Sequence, residues 1–511
     1  MNCESVRIWL THLTMPLYEP LPDDSVRLLR LLPPSDSRKG IDCQLFTCPL
    51  LKSGSTHHYE ALSYVWGPED NQQSIRINNC EFPIRTNLYE ALSCLQDRYI
   101  ERIIWIDAIC INQEDKDEKG HQVQSMAKIY ARASGVIVWL GKVADQSNEA
   151  LEAIRAAAEG QSVDSATDKA ILTLLNRPWF KRIWVLQEVA AARHILIRSG
   201  RTEIDGYAFC AGLSALEISY RADQSLRYII RTTAYLIRGA VFRPRYEGRE
   251  KSQLGRFALN MRPLSQLVDT YHTRQATDRR DMVYALLGMS SDDFSVLDDA
   301  GLSPNYQMPW KEVFRNLVKF ATSDQMSVKV WDGKQVAVMK GKGCFLGKVS
   351  QVERHHTRDD IQRVTFLWKK PFHQEGNQKS DLTFPASAKP IQAGDAVYFL
   401  QGALMPSIMR LCGGYLAVIV IAIPLPEYTR PITAFRHELP VVWDWEASQG
   451  KAQDDTYDEG LIASPRKPKC PSTECKCQDY LHEATGLWDL GLILNGLERY
   501  EEANKTFGKA L

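Results

Sequence analysis

Between residues 26 and 200, short apolar runs alternate with segments of helical period, and this alternation limits the fold more than any other feature of the chain. The runs Val26–Leu32, Asp42–Cys48, Ala61–Trp66, Ile103–Ile106, Gly135–Gly141 and His194–Ser199 have the length and content of strands. Helical spacing occupies the intervals, as in Asn87–Asp97 and in the series Val123, Met126, Ile129, Tyr130 and Ala133. Strands that alternate with helices imply an α/β fold with a mainly parallel sheet flanked by helices. The unbroken run Ile103–Ile106 predicts a central strand covered on both faces. Asp115, with Glu118 three residues later, resembles a capping box opening the helix that follows. Residues 145–176 read as a partly polar helical insertion, and Pro178 suits the first turn of a helix running to Arg193.

The texture changes downstream. Residues 201–325 read as mainly helical, with helices predicted at Asp281–Gly288 and Trp310–Ala321. Residues 326–440 carry the strand-like runs Val336–Met339, Val364–Trp368, Ala396–Leu400 and Leu416–Ile423, which predict a small β-rich module. Residues 441–480 have the polar composition of a disordered linker. In 481–511, Leu490, Gly491, Ala503, Phe507 and Ala510 fall at the offsets of one partial tetratricopeptide repeat. A single repeat buries no continuous core, so this element is a docked helix pair or the stump of an array.

Composition removes several classes of function. The 62 basic and 62 acidic side chains cancel, which gives no electrostatic footprint for nucleic acid or an anionic membrane. Tyr415–Pro424, the longest apolar run, is about half of what a bilayer span needs. The first residues lack a basic flank and apolar core, so the expectation is a soluble, cytoplasmic protein whose 12 cysteines are reduced thiols. Cys470, Cys475, Cys477 and His482 cluster, but their spacing matches no common zinc pattern, and no metal is expected. No glycine-rich phosphate loop is present, so no built-in nucleotide switch is expected, and no cofactor is expected either.

Three segments set polar residues and tryptophans inside this apolar frame: Tyr59–Gly67, Trp105–Gln113 and Arg177–Glu188. Open α/β sheets bind ligands outside the carboxyl ends of their strands. Those ends carry Tyr64, Trp66, Asp107 and Trp139 here, a cleft with aromatic walls and one carboxylate, or else tryptophans that pack the core with Asp107 capping a loop. In the third segment Trp184 and Glu188 lie four apart on one helix face. Glu188 sits in apolar surroundings, where a carboxylate needs a partner, a ligand or a raised pKa. A buried ion pair to an arginine, such as Arg193 or Arg102, is the plain structural alternative.

Tyr-Glu-Ala-Leu-Ser-Tyr-Val-Trp-Gly at 59–67, Trp-Ile-Asp-Ala-Ile-Cys-Ile-Asn-Gln at 105–113 and Arg-Pro-Trp-Phe-x-Arg-Ile-Trp-Val-x-Gln-Glu at 177–188 occur in the order of the three blocks of the fungal heterokaryon-incompatibility (HET) domain. The resemblance covers residues 20–200, with a mild departure at Lys119, where the family commonly has arginine. It implies an effector of fungal non-self recognition and cell death, triggered by an incompatibility partner protein or by self-association. HET domains have been compared with Toll/interleukin-1 receptor (TIR) domains, many of which cleave NAD, and Trp184-x-x-x-Glu188 is similar to the TIR Trp-x-x-x-Glu. That comparison implies a TIR/flavodoxin-like sheet, Glu188 as the catalytic carboxylate and NAD as substrate, not cofactor. The insertion after Gly141 departs from the TIR pattern. By strand-end position, Tyr64 or Trp66 would stack on a ring of the dinucleotide and Asp107 or Asn112 would hold a ribose hydroxyl, with Trp184 beside them. A non-enzymatic death adaptor built on the same sheet is the alternative.

Overall fold

The structure, a computed structural model, describes residues 17–445 apart from 35–39, 51–57, 165–166, 218–223, 241–245, 248–256, 331–334, 356–357, 369–378, 386–390, 413–414, 425–434 and 436. Cys470, Cys475, Cys477, His482 and the expected C-terminal repeat therefore lie outside the described residues, as does all but the start of the expected linker.

Nine strands form the first sheet: β1 Ser25–Leu31, β2 Asp42–Pro49, β3 Glu60–Ser63, β4 Gln72–Ile77, β5 Cys80–Arg85, β6 Arg102–Trp105, β7 Gly135–Trp139, β8 Ile195–Ser199 and β9 Thr202–Asp205. They lie in the order β5-β4-β2-β1-β6-β3-β7-β8-β9. The central neighbours β6, β3, β7 and β8 are mutually parallel. Outside them β1 runs antiparallel to β6 and β2, and β9 antiparallel to β8. The sheet is thus mixed, and the expectation of a mainly parallel sheet holds only at its centre. The reason lies in the β4–β5 hairpin and the tight β8–β9 turn, which need no crossover helix. Asn78 and Asn79, with φ of 51° and 67°, close the hairpin in the left-handed geometry that two-residue hairpin turns demand.

The helices around this sheet are α1 Thr86–Leu95, α2 Asp107–Cys110, α3 Lys116–Arg132, α4 Ser147–Ala158, α5 Asp168–Leu175, α6 Trp184–Ala191 and α7 Gly206–Ala215. Asp115 caps α3 by accepting from the Asp117 and Glu118 amides, but the Glu118 carboxylate turns away to Arg27. Only half of the expected capping box forms, because a buried arginine is the stronger partner for that carboxylate. Arg27, 3% exposed in its side chain, pairs with Glu118 at 2.6 Å and also donates to the Glu19 and Cys110 carbonyls.

The helix expected over 178–193 is two pieces. A 3-10 turn, Pro178–Lys181, is followed by Arg182 in extended geometry (φ −68°, ψ 142°) before α6 begins. Tertiary backbone bonds displace the helical ones: the Ile183 amide donates to the Gln275 carbonyl at 2.9 Å and the Gln275 amide to Lys181 at 2.7 Å.

Among the described residues five further helices lie within 224–321, namely α8 Gln224–Gly239, α9 Leu264–Tyr271, α10 Asp281–Leu287, α11 Phe294–Asp299 and α12 Trp310–Ala321, the last leading into the second sheet. A short strand pair, β10 Tyr246–Glu247 with β11 Phe257–Ala258, sits among them. The second sheet comprises β12 Ser327–Val330, β13 Val336–His355, β14 Arg358–Trp368, β15 Lys379–Pro385, β16 Ala396–Leu400, β17 Ser407–Cys412, β18 Tyr415–Val420 and β19 His437–Asp444. The long β13 pairs with β19 along its first half and with β16 further on, so β13, β16, β17, β18 and β19 close a ring. Phe314 of α12 packs on Trp443 and Trp445 at 5.9 Å between ring centroids, joining this module to the helical region. One apolar core runs from Val26 through the helices to Trp445. No helix among the described residues is long and apolar enough to cross a membrane.

Candidate functional site

The parallel centre of the first sheet brings the ends of β3, β6 and β7 together. Ser63 ends β3, and Asp107 follows β6 as the first residue of α2. Helix α6 packs against α3 and carries Glu188 inward, leaving it 1% exposed. The Ser63 hydroxyl donates to Glu188 Oε2 and accepts from the Trp179 indole N–H at 2.8 Å. Burial pushes the Glu188 carboxyl up to about 7, with the Asp107 charge adding to the rise while Arg182 and the Ser63 hydroxyl oppose it. Glu188 makes no ion pair within 4 Å among the described residues. Arg102 is engaged by Glu60 at 2.8 and 2.9 Å, and Arg193 by the Ala131 carbonyl at 2.9 Å, so neither of these two is the partner of Glu188; the arginine that acts on it is Arg182.

Arg182 is the cation of this site. Its guanidinium donates to the Tyr64 carbonyl; burial pulls its pKa down, but Glu188 and Asp107, with Tyr130 and Tyr64, together carry it above the usual value. Asp107 reaches the surface in part. It accepts from the Trp66 indole N–H at 2.8 Å and the Ala108 amide at 2.7 Å, and also from the buried Tyr64 hydroxyl. Burial raises its pKa despite Arg182 and these donors. Tyr130 of α3 completes the cluster, donating to the Leu62 carbonyl at 3.0 Å and lying within electrostatic reach of Glu188, Asp107 and Arg182. The partly exposed Trp66 carries the Arg85 guanidinium over its ring at 5.3 Å.

Tyr64, Trp66, Asp107 and Glu188 are therefore gathered around Arg182. Asn112 and Trp184 are turned elsewhere. Asn112 Oδ1 accepts from the Glu114 amide at 3.2 Å, and Trp184 hydrogen-bonds the partly buried Asp281 carboxylate, which also accepts from Tyr306 at 2.7 Å. Trp139 is buried in the core and donates to Asn87 Oδ1 at 3.0 Å. Ser63, Arg182, Trp179 and Tyr130 were not singled out as site residues from sequence, although all but Tyr130 stand inside the three conspicuous segments. A serine flanked by apolar residues at the end of a strand was the available signal for Ser63. No group of three or more potential metal ligands occurs among the described residues.

Residues 59–188 match the family model described as "Heterokaryon incompatibility protein (HET)". The chain is 28% identical over 349 residues to "Heterokaryon incompatibility protein 6, OR allele" of Neurospora crassa, an alignment covering 56% of this chain. The chain spans about half (49%) of the length of that relative. No solved structure matches it. The matched segment opens at Tyr59 and closes on Glu188, so it contains Ser63, Tyr64, Trp66, Asp107, Arg182 and Glu188.

Proposed function

We propose that the chain acts in fungal heterokaryon incompatibility, in non-self recognition leading to cell death, and that its 59–188 segment does so by cleaving the nicotinamide–ribose bond of NAD at Glu188. The observation that carries the reading is the Glu188 carboxyl itself, buried behind the end of β3, held by Ser63 and flanked by Arg182 and Asp107. A buried carboxylate with a perturbed pKa, set beside a cation and a second carboxylate, has the electrostatics of a reactive site. The four parallel strands, taken in chain order as first to fourth, lie 2-1-3-4, so the sheet reverses beside β3, where doubly wound sheets bind ligands.

In the proposed reaction the C1′–N bond breaks and its electron pair goes to the nicotinamide nitrogen, cancelling the positive charge of the ring. The ribose gains oxocarbenium character, which the Glu188 carboxylate stabilises by charge or by a transient bond to C1′. Water then adds at C1′ and releases a proton. Arg182 would meet the diphosphate and Trp66 would stack on a ring.

The alternative is a scaffold in which Glu188 pins α6 to β3, and the 1% exposure of Glu188 favours it. Expression of the full chain in a fungal host separates the two. Growth arrest that disappears with Glu188→Gln at unchanged protein level supports the enzymatic reading. Arrest that persists in this variant supports the scaffold.

A further inference from the structure

The backbone break that presents Arg182 is made by residues outside the matched segment. Arg274 is 3% exposed and donates to the Phe180 carbonyl in the turn before Arg182. Its Nη2 donates to the Ile229 carbonyl at 3.2 Å and to the hydroxyls of Thr232 and Thr233 at 2.6 and 3.0 Å, all on α8, while its buried Nε has no hydrogen-bond partner among the described residues. Among the described residues no carboxylate pairs with it, and burial pulls its pKa down to about 10. A guanidinium kept in the interior without a counter-ion is unfavourable unless its donors hold something. Here they hold the 178–181 turn against α8. The next residue, Gln275, adds the two backbone bonds to Lys181 and Ile183 that keep Arg182 extended, while its own side chain is exposed.

We propose that Arg274 and Gln275 are positioning residues of the Glu188 site: they fix the chain at 180–183 in the geometry that sets Arg182 beside Glu188 and Asp107. Its bearing on catalysis rests on the reading given above, whereas the placement of Arg182 does not. Were residues 181–183 helical, the Arg182 side chain would swing by a large angle about the helix axis and leave the two carboxylates. The segment between α9 and α10 is thus part of the site, and a shift of the helical region relative to the sheet would act on Arg182 first.

The test is an infrared titration of the Glu188 carboxyl in the full chain, its band identified by its loss in Glu188→Gln. The charged and polar groups facing it are Arg182 at the turn, Asp107 on α2, Ser63 on β3 and Tyr130 on α3. Removing a nearby cation raises a carboxyl midpoint by about one pH unit or more. Gln275→Pro deletes the amide that bonds Lys181, and Arg274→Lys cannot span its four acceptors. Each is expected to raise the Glu188 midpoint as Arg182→Gln does, with no further rise when combined with Arg182→Gln. Gln275→Ala, which keeps the amide, is expected to leave it unchanged. A wild-type midpoint in folded Gln275→Pro or Arg274→Lys protein overturns the proposal, and Arg274→Lys decides alone if the proline variant does not fold. A shifted midpoint in a protein that never cleaves NAD sinks the catalytic reading and leaves the positioning role standing. Cleavage with an unshifted midpoint does the reverse.

Discussion

Ser63 and Glu188, 125 positions apart, meet through one hydrogen bond in which the Ser63 hydroxyl donates to Glu188 Oε2. That bond ties the end of the central strand β3 to α6, and the same hydroxyl receives the Trp179 indole. The fold therefore satisfies two buried polar groups with a single side chain.

Ser63→Ala leaves both groups without a partner. Each buried group stripped of its hydrogen bond costs about 1–3 kcal/mol. Urea unfolding should show a loss of that order, and the Glu188 titration should move upward because a donor to the ionised form is gone. A variant as stable as the parent with an unmoved midpoint would mean that the hydroxyl contributes nothing.

Stability should depend on pH through Glu188. Its folded pKa, about 7, lies above the unfolded carboxyl value, so between roughly pH 4.5 and 7 the native state binds more protons than the unfolded one. The contribution of this group is fully present below that window and is lost as pH rises through it, by a few kcal/mol in order of magnitude. Glu188→Gln removes the charge and should flatten the denaturation midpoint between pH 5 and 8, making the variant the more stable of the two at pH 8. An identical pH profile for the two proteins would show that Glu188 stays ionised throughout.

How much of this was legible in the sequence follows from the range of each interaction. Strands β1, β2, β6, β7 and β8 and helix α12 announce themselves through local periodicity, and the Asp115 cap through a three-residue pattern. Pairing direction is not local, so the antiparallel flanks of the sheet were hidden, and the turn residues Asn78 and Asn79 were the overlooked sign of the β4–β5 hairpin. The break at Arg182 was invisible for the same reason: Pro178 and the apolar spacing after it specify a helix, and Gln275, more than ninety residues on, overrides them. Glu188 was conspicuous because a lone carboxylate in an apolar face is rare. Arg182 stood in the third segment with no role assigned to it, since nothing beside it in sequence reveals which carboxylates it meets.

Arg27 and Glu118 form the most buried ion pair described, with side chains 3% and 11% exposed. Replacing one partner leaves the other charge uncompensated, which costs about 3–5 kcal/mol. Arg27→Met should therefore lower stability by that order in chemical denaturation, while the double variant Arg27→Met, Glu118→Leu should recover much of the loss. Equal losses in the single and double variants would contradict a coupled pair.

Gly288 closes α10 where it meets α6 and α3. A Cβ there would collide with the Gln187 side-chain amide and lie 2.7 Å from the Ala127 Cβ. Gly288→Ala should destabilise the protein by about 1–3 kcal/mol as an overpacked contact. A calorimetric midpoint equal to that of the parent would show that α10 and α6 separate readily.

The central claim, that Glu188 does chemistry, is tested most directly by incubating concentrated, purified full-length protein with NAD and quantifying free nicotinamide, in parallel with Glu188→Gln protein of matched thermal stability. Release by the parent and its loss in the variant is the result predicted here. Release that continues unchanged in Glu188→Gln would contradict the assignment.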